Sequence, residues 1–185
     1  WLRKQASLIA DTVAKNPRRL TLVISMSKDE NGALMAKLKA ALPVHAHVPF
    51  DEQHRFEELC ASSEQRGVVY GCESLATGVD LPGLIGLVVI LKPLGLSCAA
   101  DEVYARDYLN RASQMWEFYF FKNVYRFRQA CGRLVRAHGD GGVILFFDTM
   151  SANGFAPRNK ELDAVKHFFA RPVETTSNPL PVWPR

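Results

Sequence analysis

Absences narrow the reading of this chain first. Its 185 residues hold only four cysteines. Cys60, Cys72, Cys98 and Cys131 are scattered, with no C-x-x-C pair, so neither a disulfide framework nor a zinc site is supported, and each thiol reads as a small buried group. His45 and His47 stand two apart on a predicted strand, but no third ligand lies nearby, so no metal site is expected. No apolar run approaches the roughly 18–20 residues that span a bilayer. There is no basic-then-apolar leader, which sets the expectation of a cytoplasmic protein with no membrane partner. The chain begins at Trp1 rather than Met, as expected for a segment of a longer protein. No glycine fingerprint and no nucleophile–base pair can be placed, which disfavours a small-molecule enzyme. No internal repeat is visible.

Acidic residues are missing from one further place, the stretch between Glu117 and Asp140. In that gap Lys122, Arg126, Gln129, Arg133 and Arg136 are spaced 4, 3, 4 and 3 residues apart. At about 100° per residue they share one face of a helix predicted from about Phe118 to Ala137. Phe120, Val124, Phe127, Cys131 and Leu134 follow the same spacing on the opposite face. Cations this concentrated repel one another, so the stripe suits an anion. An ordinary solvated amphipathic face has the same spacing, and spacing alone leaves both readings open. The net charge of +4 adds little, because clustering matters more than the total.

The remaining pattern is that of an α/β protein. The chain is 48% apolar with a mean hydropathy near zero, enough for a sizeable core. Leu2, Ala6, Ile9 and Val13 predict a helix ending at Asn16-Pro17. Strands are predicted at Thr21–Ile24, Val44–Val48, Gly67–Gly71, Leu84–Leu91 and Val143–Phe147. Ser27 and Glu30 form a capping-box pattern before a helix carrying Leu34, Met35, Leu38, Ala41 and Leu42. Asp51 is expected to cap the next helix, with Phe56, Leu59 and Cys60 facing inward. Cys72 to Gly83 reads as a polar loop. The aromatic-rich region from Asp101 reads as packed surface rather than a base-stacking platform. Residues 1–150 form the expected domain. The appendage 151–185 holds a helical piece, Lys160–Phe169, and a proline-rich tail, Pro172–Pro184. Alternating strands and helices imply a mostly parallel sheet flanked by helices, with ligands beyond the carboxyl ends of the strands. The 72–83 loop and the basic helix could meet there.

Two segments together resemble a known family. Gly71-Cys72-Glu73-Ser74-Leu75-Ala76-Thr77-Gly78-Val79-Asp80-Leu81-Pro82-Gly83 resembles motif V of superfamily 2 helicases, in the form used by the DinG/XPD group. Gln129-x-x-Gly132-Arg133-x-x-Arg136, followed by an Asp-Gly turn and a strand ending at Asp148, is similar to motif VI of that group. The Ser25–Lys28 stretch falls where motif IV would. The resemblance covers about residues 20–150. Leu75-Ala76-Thr77 stands where the group usually has an aromatic pair and a glutamate, so a ring and a carboxylate are missing. A divergent branch, such as the DinG-like helicases associated with type IV CRISPR systems, fits that departure.

The resemblance implies a RecA-like three-layer fold and the second motor domain of an ATP-dependent DNA helicase, moving 5′ to 3′ on single-stranded DNA. ATP with Mg2+ would be held mainly by the first RecA-like domain of the same protein. The phosphate loop, the D-E-x-H stretch and any Fe–S cysteines would lie there, not in this chain. Arg133 and Arg136 would reach the nucleotide phosphates as arginine fingers. Gln129 would bond the γ-phosphate or its attacking water, and Asp80 the ribose or a motif VI arginine, beside Gly78. Ser27, Ser74 and Thr77 would touch the nucleic-acid backbone, and Lys122 and Arg126 the cleft rim or DNA. The alternative is a catalytically inactive nucleic-acid-binding module that keeps the helicase fold.

Overall fold

The computed structural model describes residues 2–25, 28–41, 46–91, 125–134 and 140–147. The chain runs α1 (Leu2–Lys15), β1 (Leu20–Ile24), α2 (Lys28–Ala41), β2 (Ala46–Pro49), α3 (Gln53–Ala61), β3 (Gly67–Gly71), α4 (Glu73–Gly78) and β4 (Ile85–Ile90). A helical stretch over 125–131 (α5) and β5 (Val143–Phe146) follow. The aromatic region from Asp101, Asp148, the boundary at 150 and both tail pieces lie outside the described residues.

The five strands form one sheet in the order β2-β3-β1-β4-β5, and every pairing is parallel. Parallel strands are covered on both faces, and the sequence obeys that: all of LTLVI in β1 and IGLVVI in β4 is buried. Alternate residues feed two cores. Val23, Val68, Leu87 and Val89 meet Ile9 and Val13 of α1 and Leu34, Met35 and Leu38 of α2. Leu22, Ile24, Val69, Val88 and Ile90 meet Leu59 of α3, Leu75 and Ala76 of α4, and Phe127, Ala130 and Cys131 of α5. The result is the three-layer α/β arrangement expected from the alternating pattern. α2, after β1, lies over one face, while α3, α4 and α5 lie over the other. The adjacent strands β1 and β3 therefore send their chains to opposite sides, and a crevice opens beyond such carboxyl ends.

Three local expectations are corrected. The 72–83 stretch is not all loop. It opens with α4, because Leu75, Ala76 and Val79 reach the core together at helical spacing. A Cβ on Gly71 would stand 3.0 Å from Leu75 Cβ and 3.1 Å from Phe50 Cβ, so the sharp strand-to-helix turn leaves little room for a side chain there. The basic helix does not continue to Ala137 as a regular rod, since α5 ends at Cys131. Gly132 N–H still bonds Arg128 O at 2.8 Å, but Arg133 and Leu134 N–H bond the carbonyls three residues back, Ala130 at 3.2 Å and Cys131 at 3.1 Å. The last turn thus tightens. The cap of α3 is Glu52 rather than Asp51, and it makes no side-chain cap bond.

Candidate functional site

The two segments singled out in the sequence, linked across 54 and 57 positions, come together at the carboxyl end of β3. α5 lies on the sheet through Phe127, whose ring meets Phe146 of β5 edge to face at 5.0 Å between centroids. The tightened turn after α5 then sends Arg133 inward, where it is only 5% exposed. Its Nε donates to Ala76 O at 2.7 Å, its Nη1 donates to Val79 O, and its Nη2 lies 3.4 Å from Gln129 Oε1. A buried charge is tolerated only with such partners.

α4 lies against Phe50. A Cβ on Gly78 would be 3.2 Å from the tip of that ring, which in turn stacks edge to face on Phe56 at 5.4 Å. Beyond α4 the chain leaves extended at Val79 and turns at Gly83, whose φ of +77° suits glycine. Gly83 N–H donates to Asp140 Oδ1 at 2.9 Å, and Arg18 Nη1 meets the same oxygen at 3.2 Å.

Of the sequence-predicted residues, Gln129, Arg133 and the segment bearing Ser74, Gly78 and Asp80 are brought together. Ser74, Gly78 and Asp80 are exposed, and Gln129 and Arg126 are half-buried. Ser74, Asp80 and Arg126 each have interaction partners. Ser27, Lys122 and Arg136 lie outside the described residues, as does the side chain of Thr77. Sequence reasoning passed over Arg18 and Asp140, which meet across 122 positions. Asp140 carried only a turn signal.

Among the described residues no three His, Cys, Asp or Glu side chains could hold a metal ion. Burial pushes the Cys131 thiol up to about 12 and the Cys60 thiol upward, so both are held protonated at neutral pH. His47, on edge strand β2, is held below its ordinary value by burial and then by Lys39, and its Nδ1 is buried without a partner. No helix among the described residues is long and apolar enough to cross a membrane.

Comparison with known proteins adds two findings. Residues 9–160 match the family model described as a helicase C-terminal domain. Among solved structures, one titled XPD helicase is similar, with a TM-score of 0.57 and 17% identity over 88% of this chain. That match takes in 31% of the other chain, so this chain spans under a third of its length. At such identity the likeness concerns the fold alone. No curated protein matches.

Proposed function

The chain belongs to the family of helicase C-terminal domains, and from that premise we propose that it is the second RecA-like motor domain of a longer ATP-dependent DNA helicase. The observation that carries the reading is the direct contact of the 73–83 segment with the 125–134 segment, made by Arg133 on the Ala76 and Val79 carbonyls. Ala76 and Val79 lie in the 71–83 stretch that resembles motif V and Arg133 in the 129–136 stretch that resembles motif VI, and they meet beyond a strand end.

In this reading ATP with Mg2+ is held mainly by the first motor domain and supplies the transferring phosphoryl group. The donor set here suits what remains of such a ligand: an amide at Gln129, the exposed carboxylate of Asp80 and the open backbone at Gly78. Arg136 is the finger that brings positive charge to the phosphates when the domains close. The resemblance pairs Arg133 with it as a second finger, and the burial of Arg133 supports a role in the domain interior beside that one. By the resemblance, Ser27, Ser74 and Thr77 contact the nucleic-acid backbone, and Lys122 and Arg126 serve the cleft rim or the DNA. Opening and closing with nucleotide state steps the strand 5′ to 3′.

The test uses the full-length protein. Arg136→Ala is expected to lower ATP turnover by about 10³-fold or more, the scale of a lost arginine finger, while equilibrium titration shows ATP still bound. Unchanged turnover sinks the finger role. A full-length protein that binds single-stranded DNA with steep salt dependence yet hydrolyses no ATP identifies the inactive binding module instead.

A further inference from the structure

We infer that Arg133 is a positioning residue that, with Asp140, grips the 76–83 segment at both ends and makes it move as one body with the basic segment. The inference rests on the motor-domain reading above and deepens it. α4 ends at Gly78, so its final carbonyls have no turn of helix beyond them to bond. The chain leaves it extended at Val79, with φ −108° and ψ 130°, which forms no left-handed local cap. The Arg133 guanidinium fills that gap. Its planar fork donates to Ala76 O at 2.7 Å and to Val79 O together, and its charge suits the negative end of a helix.

The other end is held by the opposite chemistry. Asp140 accepts from Gly83 N–H at 2.9 Å and from Arg18 Nη1 at 3.2 Å, with its side chain only 6% exposed. Arg133 and Asp140 are seven positions apart, so one short stretch of chain holds both ends of the loop. Asp80 stands exposed between the grips. A displacement shared by Arg133 and Asp140 therefore carries Asp80 with it. Turning Arg133 outward to a phosphate would strip two buried carbonyls of their donor and separate it from Gln129, 3.4 Å away.

The experiment uses the full-length protein, with an oligothymidylate strand as the DNA probe. Hydrogen exchange of residues 76–83 is followed without nucleotide, and the DNA concentration that half-stimulates ATP turnover is measured separately. Arg133→Lys keeps the charge and the stem but replaces the fork by a compact ammonium. It is expected to speed exchange over 76–83 by about tenfold, with β1 and β4 unchanged, and to raise the half-stimulating DNA concentration by a similar factor. Asp140→Ala is expected to speed exchange at Gly83 while leaving residue 76 protected. Unchanged exchange in Arg133→Lys alongside lost turnover would make Arg133 a finger only and overturn the grip. Faster exchange spreading into β1 and β4 would overturn it as well, by showing a general structural role. If the wild-type protein shows no DNA-stimulated turnover, the motor-domain reading fails, while the exchange measurement still decides the grip.

Discussion

Gly86 lies at a bulge in β4, where the register with β1 jumps from Leu20↔Ile85 to Thr21↔Leu87. A Cβ there would overlap Asn16 Oδ1 and stand 2.9 Å from Arg18 Cβ. Asn16 is 2% exposed, and its amide donates to Leu20 O and Thr21 Oγ1 at 3.1 Å each, while its Oδ1 accepts from Arg18 N–H at 3.0 Å. Gly86→Ala must therefore push Asn16 out of a filled site. Overpacking of this kind costs about 1–3 kcal/mol, and losing two buried hydrogen bonds adds about 1 kcal/mol each. The expected total is about 3–5 kcal/mol. At a urea slope of about 2 kcal/mol per molar, the midpoint falls by about 2 M. Gly32 is the control. It sits inside α2 with nothing within 4 Å of a built Cβ, so Gly32→Ala should raise stability by about 0.5–1 kcal/mol. Urea unfolding of the chain followed by circular dichroism measures both. A loss below about 1 kcal/mol for Gly86→Ala, within reach of an ordinary surface change, would refute the close approach.

Phe127 is 1% exposed and packs edge to face on Phe146. Phe127→Ala should cost about 3–5 kcal/mol, seen as a lower urea midpoint, whereas Phe127→Leu should cost well under half of that. Cys131 holds its proton up to about 12, above its ordinary 9.0, so its contribution is complete below pH 9 and is lost as pH rises from there toward 12. His47 is depressed instead, so its contribution is complete above its ordinary 6.5 and is lost on acidification below that. Unfolding midpoints across pH should fall at both ends, with Cys131→Ser reducing the alkaline fall and His47→Gln the acid one.

The elements that could be read directly were those whose burial is symmetric. β1 and β4 are covered on both faces, so their residues form unbroken apolar runs that stand out against any neighbour. α1 was equally legible, because Ala6, Ile9 and Val13 keep helical spacing toward one face of the sheet. α4 was hidden because six residues give less than two turns of pattern, and Glu73, Ser74 and Thr77 dilute it. The inward turn of Arg133 could not be inferred from spacing. A 3.6-residue period assumes that the helix continues, and it stops at Cys131, one residue before Gly132. Asp140, Arg18 and Gly83 are joined across 122 and 57 positions, and no local pattern in any of the three segments announces the others.

The missing acids of the basic stretch can now be given a physical reason. Between Glu117 and Asp140 there is no carboxylate to pair with the arginines, which on a solvated helix would leave only mutual repulsion. For Arg133 the partners are backbone carbonyls, left without donors by the abrupt end of α4. A carboxylate nearby would compete for the guanidinium and release Ala76 and Val79. The first acid to return, Asp140, does so past the turn, where its charge is taken up by Arg18 and Gly83 N–H rather than by Arg133. The order of charges along the chain thus directs each one to a different end of the same loop. Reversing that order should disrupt the loop before it disturbs the sheet, whose core on that face takes from this segment the apolar packing of Leu75, Ala76, Val79, Leu81 and Leu84 rather than its charges.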